Sequence, residues 1–481
     1  MNFHSDTGFL PLTPHIHPWV KDLLKKKEVL AKRIKEEDSP INIHSLEPFV
    51  ENIQSFQKVF QKYELNHCIY FARKANKCIS LAKKAFDYGQ GVDTASFREL
   101  KQCLDAGIPA KALLVTAAVK NRKLLELAVE NQVTVVIDNR DEYQLLNHIA
   151  QEMQKEVTVV IRVSGFILNQ KLLHSRFGFS MNEAQDLIEE LHRQDGLLKY
   201  IGLHFHLNGY AVDERVAAIE QCIELIDRLQ NEGIMTYSLD IGGGFLVNYL
   251  KDHSQWEAFQ SELKLAVQGQ RSPLTYQNDS LGIIKTAIGI QGEPLVYPYS
   301  NANYRELFLD RILKSDSEIF HKPIHKLIKQ RNLELRIEPG RSLVDQAGVT
   351  VAAVVFRKWD TSGELLIGLE MNRSQLRSSS ADFLLDPIHI CLKSDDKKQK
   401  TCYGFLVGEY CLEQELILKR KLKFEKFPEV GDLIVFPNTA GYMMHFFESE
   451  AHQFKLAENL FYDRKEEILR SDREILSKSL T

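Results

Sequence analysis

Eight short apolar runs, each in a setting of helical periodicity, constrain this chain more than any other feature. They are Cys68–Arg73, Gly91–Asp93, Ala112–Thr116, Val133–Asp138, Val157–Val163, Tyr200–His206, Ser238–Gly242 and Leu333–Glu338. They are apolar, rich in β-branched residues and do not alternate with polar ones, as parallel strands buried on both faces require. Helix-period segments occupy 48–63, 77–88, 96–106, 119–130, 141–153, 182–194 and 212–232. Eight such βα units predict a (β/α)8 or TIM barrel. A doubly wound sheet would accept much of the same pattern. The C-terminal ends of the runs favour the barrel. Lys74, Asp93, His204, His206, Gly242-Gly-Gly244 and Glu338-Pro-Gly-Arg341 collect there, on the face where (β/α)8 enzymes build their active sites.

The barrel is expected over 45–345. The stretch from Gly244 to Glu338 is too long for one helical crossover and holds Pro273, Pro294 and Pro298. It reads as an insertion near 260–325, a lid or an interface element. After residue 346 strand patterns recur at 349–357, 365–371, 389–393, 402–407, 415–424 and 432–437, between charged turns. With residues 1–44, residues 346–481 make a second, mostly antiparallel β-domain. Its helical segments are an amphipathic helix over 20–37 and a tail helix over 455–478, and Ser39-Pro-Ile-Asn-Ile-His44 is a short strand.

Composition excludes several classes. With 61 basic and 65 acidic residues the net charge is −4, so nothing marks a nucleic-acid partner. No apolar stretch reaches the length of a membrane span, and the N-terminus lacks the pattern of a secretory signal. The seven cysteines are scattered, with neither disulfide-framework nor metal-ribbon spacing. No metal site is expected, and a reducing cytoplasm is the default compartment.

Lys74 is the residue with the most chemistry to offer. An amine at a strand's C-terminal end can be desolvated enough to form a Schiff base with an aldehyde cofactor, although many strand-end lysines are merely solvated. The segments around it raise that reading. Tyr70-Phe-Ala-Arg-Lys-Ala-Asn76, Gly91-Val-Asp-Thr-Ala-Ser96 with Glu99, Ser175-Arg-Phe-Gly-Phe179, Gly202-Leu-His-Phe-His206, Asp240-Ile-Gly-Gly-Gly-Phe245, Glu338-Pro-Gly-Arg341, Gly408-Glu-Tyr-Cys411 and Ala440-Gly-Tyr442 follow one another along the chain. In this order and spacing the sequence resembles the fold type III pyridoxal-phosphate decarboxylases of the diaminopimelate, ornithine and arginine decarboxylase family, as a divergent subgroup. The resemblance implies an alanine-racemase-like barrel plus β-domain, and a homodimer with shared active sites.

It also implies roles. Lys74 would carry pyridoxal 5'-phosphate. Glu338 would pair with the pyridine nitrogen and keep the ring an electron sink. Gly242, Gly243, Gly244 and Gly340, with Arg341 and Tyr442, would hold the phosphate. Asp93 would hold the cofactor or the lysine, and His206 would stack on the ring, with His204 ranked below it. Cys411 would protonate the carbon left by carbon dioxide; without the resemblance it reads as a small buried hydrophobe. Arg377 and Glu413 are candidate substrate contacts.

The expected activity is decarboxylation of an amino acid or amino-acid conjugate. An amino-acid racemase of the same fold and an inactive regulatory paralogue are the alternatives. The sequence departs from the family where substrate is read. Leu412 follows Cys411 in place of an acid, Asn208-Gly209 stands where the family has glycine-serine, and Gly408-Glu409 replaces Gly-Pro. These changes leave the cofactor residues and alter the part that would recognise a distal amine.

Overall fold

The protein is described by a computed structural model over residues 8–287, 289–378, 381–393 and 400–479. It divides into two units. One comprises Phe49–Leu246 and Asn303–Leu343; the other comprises Met1–Pro48, Val247–Ala302 and Val344–Thr481.

The first unit is the barrel. His67–Ala72, Gly91–Thr94, Leu113–Val115, Thr134–Ile137, Val157–Arg162, Leu198–His204, Ser238–Asp240 and Glu334–Ile337 form a closed barrel of parallel strands. All eight expected runs contribute a strand. Tyr70, Leu114, Val136 and Val160 fill part of the interior, with Cys68 and Ile201 packed against them. The helices begin where the sequence supplies caps. Ser96 accepts from the Glu99 amide at the start of Phe97–Asp105, and Ser180 and Glu183 form a reciprocal capping box at the start of Met181–Gln194. Two glycines set strand spacing. A Cβ at Gly91 would lie 2.5 Å from the Tyr70 ring, and one at Gly202 would lie 2.5 Å from the Ser238 carbonyl oxygen.

The second unit is built on a nine-stranded sheet. Gly348–Trp359 is its spine. The first half pairs with Ile41–His44 and Leu433–Pro437, the second with Leu365–Leu369, and the register shifts between Val354 and Phe356. Most pairings are antiparallel; Ile41–His44 with Glu458–Asp463 and Leu365–Leu369 with Cys402–Val407 are parallel. Trp19, Leu23 and Leu30 bring the N-terminal segment onto the core of Ile41, Ile43, Val349, Val351, Leu433 and Val435.

Three local expectations are corrected here. The helix expected over 20–37 is two, Pro18–Leu24 and Lys27–Glu37, parted at Lys25-Lys26. The tail expected as one helix forms the strands Glu458–Asp463 and Ile468–Ser471 before the short helix Asp472–Ser479. Sheet pairing to Ile41–His44 overrides a charged, helix-compatible composition. In 415–424 the sheet strand is confined to Leu422–Phe424. Residues 419–421 instead meet the 247–302 segment: the Tyr276 amide donates to the Lys419 carbonyl and the Lys421 amide to the Leu274 carbonyl, each at 2.8 Å.

That 247–302 segment contains the helix His253–Gln268 and the hairpin Ile284–Thr286 and Gly289–Gln291. Its aromatic cluster of Tyr249, Trp256, Tyr297 and Tyr299 belongs to the sheet unit, where the Tyr299 hydroxyl accepts from the Leu384 amide at 3.0 Å. No described helix is long and apolar enough to cross a membrane.

The barrel spacing gives a direct test. Gly202→Ala should destabilise the protein by about 1–3 kcal/mol in chemical denaturation, because the new methyl meets backbone that cannot swing away. Gly233→Ala, with nothing near its Cβ position, is the control; its cost should be confined to its left-handed φ of 83°.

Candidate active site

Lys74 owes its position to the residue before it. After Ala72 the chain makes a single turn, Arg73–Ala75. Arg73 is 1% exposed, and its guanidinium donates to the Glu99 carbonyl (3.0 Å), the Lys77 carbonyl (2.7 Å) and Gln102 Oε1 (2.9 Å). The turn is thereby tied to the helix Phe97–Asp105. Lys74 Nζ lies 3.0 Å from Asp93 Oδ2, on the next strand, and the Thr116 hydroxyl donates to the other Asp93 oxygen. Burial raises the Asp93 carboxyl above its ordinary range, against the pull of the Lys74 charge.

Glu338 directly follows the last barrel strand and is 3% exposed. Its carboxylate Oε1 is 3.1 Å from His204 Nε2. Burial raises Glu338, while Lys74 and Arg162 favour its charge. Asp240, on the strand paired to that of His204, is also buried and is raised well above the usual carboxyl range by burial and by Glu338. Arg162 contributes a buried cation. Its guanidinium lies 3.4 Å from Asp138 Oδ1 and 4.3 Å from the centre of the Phe177 ring. The motif 175–179 folds back on this strand end. Gly178, at φ 77°, donates to Asp138 at 3.1 Å, and the Phe179 amide donates to the Arg162 carbonyl at 2.9 Å.

The glycine run is required by crowding. Added Cβ atoms at Gly242, Gly243 and Gly244 would fall 2.6 Å from the Phe205 carbonyl oxygen, 2.5 Å from the Glu338 carbonyl oxygen and 2.5 Å from Arg215 Nη2. The amides of this turn are partly committed. Gly242 donates to Asp240 Oδ1 at 2.9 Å and Gly243 to His206 Nδ1 at 3.2 Å. His206 is half-buried, and desolvation first, then the Lys74 charge, holds its imidazole well below the usual range. As an acceptor at Nδ1 it carries its proton on Nε2. Arg215 is fully buried and braces the turn from behind, donating to the Gly209 carbonyl at 2.9 Å and the Gly243 carbonyl at 2.7 Å.

The barrel unit thus holds Lys74, Asp93, His206, Gly242, Gly243, Gly244, Glu338, Gly340 and Arg341. Cys411, Glu413, Arg377 and Tyr442 lie in the sheet unit. There the Arg377 amide donates to the Met443 carbonyl at 2.9 Å, and its guanidinium lies 5.8 Å from the Phe447 ring. Tyr442 has φ 70° and meets Phe446 edge-on. Cys411, taken from its residue type as buried, is exposed, beside the exposed Leu412. Glu409 is half-buried, and burial with the neighbouring Glu370 and Glu415 pushes its carboxyl up to about 7.

Sequence reasoning passed over Arg162, Thr116 and Arg215 and ranked His204 second. Arg162 and Thr116 stand at strand ends, the signal that found Lys74 and Asp93. Arg215 lies within the helix Val212–Asn231 and gives no such signal.

Residues 46–278 match the family described as pyridoxal-dependent decarboxylase, pyridoxal binding domain. An uncharacterized protein of Sinorhizobium fredii, y4yA, is 27% identical over 456 residues, 94% of each chain. Diaminopimelate decarboxylase of Neisseria meningitidis serogroup A is 24% identical over 416 residues, 84% of this chain and 85% of that one. The crystal structure of diaminopimelate decarboxylase from M. jannaschii with L-lysine shares the fold, with a TM-score of 0.68 at 16% identity over 94% of each chain.

Glu409 yields a pH prediction. A carboxyl raised in the folded state binds a proton that the unfolded chain has released, so stability falls as pH rises from about 4.5 through about 7. Glu409→Gln should therefore gain stability over the wild type at pH 8 and lose that advantage at pH 4.5, read as denaturation midpoints at the two pH values.

Proposed function

We propose that this chain, a member of the fold type III pyridoxal-phosphate-dependent decarboxylase family, is a carboxy-lyase acting on an amino acid or an amino-acid conjugate. Its residues suit that family's cofactor. An amine, buried carboxylates of raised proton affinity and a glycine turn meet at one end of one barrel. The observation that carries the reading is the Lys74–Asp93 pair at 3.0 Å, with Asp93 fully buried and Glu338 acting on it electrostatically.

Pyridoxal phosphate, when bound, supplies the electron sink for breaking the bond to the carboxylate. The chain supplies orientation and proton placement. Lys74 is the amine that anchors the cofactor's aldehyde, for which it must be neutral. Asp93 Oδ2 is the place for the proton that Nζ gives up, since burial raises its affinity. Glu338 would pair with the ring nitrogen. His206, kept neutral, offers a flat face for stacking. Of the three glycines, Gly244 has an amide with no hydrogen bond among the described residues, so the phosphate role falls to Gly244 with Gly340 and Arg341. Cys411 or Lys74 returns a proton to the substrate carbon, Cys411 within a homodimer. The apolar Leu412 disfavours a substrate with a free distal amine.

Wild-type protein incubated with pyridoxal phosphate and freed of excess should retain a visible absorption band. Borohydride should fix its mass on the peptide carrying Lys74, and Lys74→Ala should lose both signals. A wild type without a lysine-dependent band would sink the proposal. Carbon dioxide release across a panel of amino acids and N-acyl or carboxylated conjugates then identifies the substrate. Optical inversion without carbon dioxide would establish a racemase, and neither activity in the loaded protein a regulatory paralogue.

A further inference from the structure

Among the buried polar atoms of the barrel that have no partner among the described residues are Nδ1 of His204 and Oδ2 of Asp240. Both residues are 1% exposed and stand in register on neighbouring strands. Their other polar ends are engaged. His204 Nε2 is 3.1 Å from Glu338 Oε1, and Asp240 Oδ1 accepts the Gly242 amide at 2.9 Å. One ligand atom from each of His204, Asp240 and Glu338 lies within 4.8 Å of the others.

A buried charge without a partner costs more than a buried neutral group, so the protonation states of the three side chains are set together. If Glu338 is ionised, the imidazole proton must sit on Nε2, and Nδ1 becomes an acceptor. An ionised Asp240 would set a second buried negative charge beside Glu338. The surroundings agree. Burial holds His204 neutral, with Arg162, Lys74 and Lys120 opposing its protonation and Asp93 favouring it. Burial and the Glu338 charge raise the Asp240 carboxyl well above the usual range, against the Gly242 amide and Arg336. Of the two carboxyls, Glu338 has two cations acting on it, Lys74 and Arg162, and Asp240 has Arg336.

We propose that His204 is a positioning residue for Glu338: its Nε2–H donates to the Glu338 carboxylate across 3.1 Å. The arrangement deepens the reading of Glu338 as the partner of the cofactor's ring nitrogen, and rests on it. His204 fixes the direction of that carboxylate and holds it ionised without adding charge. Glu338 is thus restrained before any ligand arrives.

Protein labelled with 15N-histidine, without added cofactor, tests the bond directly. The His204 signals, assigned by their loss in His204→Gln, should show a neutral imidazole protonated on Nε2 from about pH 6 to 8, where a free histidine titrates. They should move in Glu338→Gln. An ordinary titration near 6.5, or a proton on Nδ1, overturns the proposal. Pyridoxal-phosphate affinity is the second readout. His204→Leu should weaken it by about tenfold, the effect of one hydrogen bond to a charged group, and His204→Gln, which keeps a donor, by far less. In the Glu338→Gln background the two variants should bind alike. Equal losses for Leu and Gln with Glu338 present, in variants whose melting shows them folded, overturn it too. A wild type that binds no pyridoxal phosphate defeats the proposed function, and the tautomer of His204 still decides the bond.

Discussion

The barrel's C-terminal end is governed by the burial of charge. Asp93, Asp240 and Glu338 are carboxyls with at most 3% exposure, and Lys74 and Arg162 are the cations acting on them. Water is not there to solvate them, so each must find a partner or hold a proton. Asp93 has Lys74 and Thr116, Glu338 has His204 and two nearby cations, and Asp240 has one oxygen on Gly242 and the other without a partner. Much of the local architecture follows from meeting these demands.

Arg73 and Arg215 show how the backbone is brought into that service. Each is a buried guanidinium spent mainly on carbonyl oxygens, those of Glu99 and Lys77 for Arg73 and of Gly209 and Gly243 for Arg215. They pin the two turns that carry Lys74 and the glycine run, and touch no reacting group. The glycines answer the same crowding, since the turn passes too close to Glu338 and Arg215 for any side chain. A triple glycine that suggests a phosphate cradle is thus first a packing requirement, and two of its three amides serve His206 and Asp240 before any ligand is considered.

The barrel was legible because burial on both faces erases the alternation that would mark an exposed sheet, and because parallel strands put their C-terminal residues on one face. Lys74, Asp93, His206 and Glu338 are singled out by that rule. The His204–Glu338 bond was not, because its partners are far apart in the chain and meet only through strand register. Arg215 was invisible for the same reason: inside a helix, an arginine destined for the core looks like any surface charge. The tail strands Glu458–Asp463 and Ile468–Ser471 were missed because sheet pairing with Ile41–His44 decides them, and local composition does not.

On the proposed function, chemistry and substrate readout fall to different parts of the chain, and the departures from the motif pattern sort along that line. Lys74, Asp93, Glu338 and the glycine turn sit on strand ends whose positions are fixed by barrel closure and buried charge, so a change at any of them disturbs the others. Leu412 and Glu409 lie on the loop after Cys402–Val407, in the sheet unit, exposed and half-buried respectively. Such positions can change at little cost to the fold. A chain under selection for a new substrate would vary there first, keeping the barrel's charges intact. That distribution is what a decarboxylase turned to a different amino acid should show, and it is the reverse of what an inactive descendant should show, in which the buried ionisable groups, costly to keep and no longer needed, are the first to be lost.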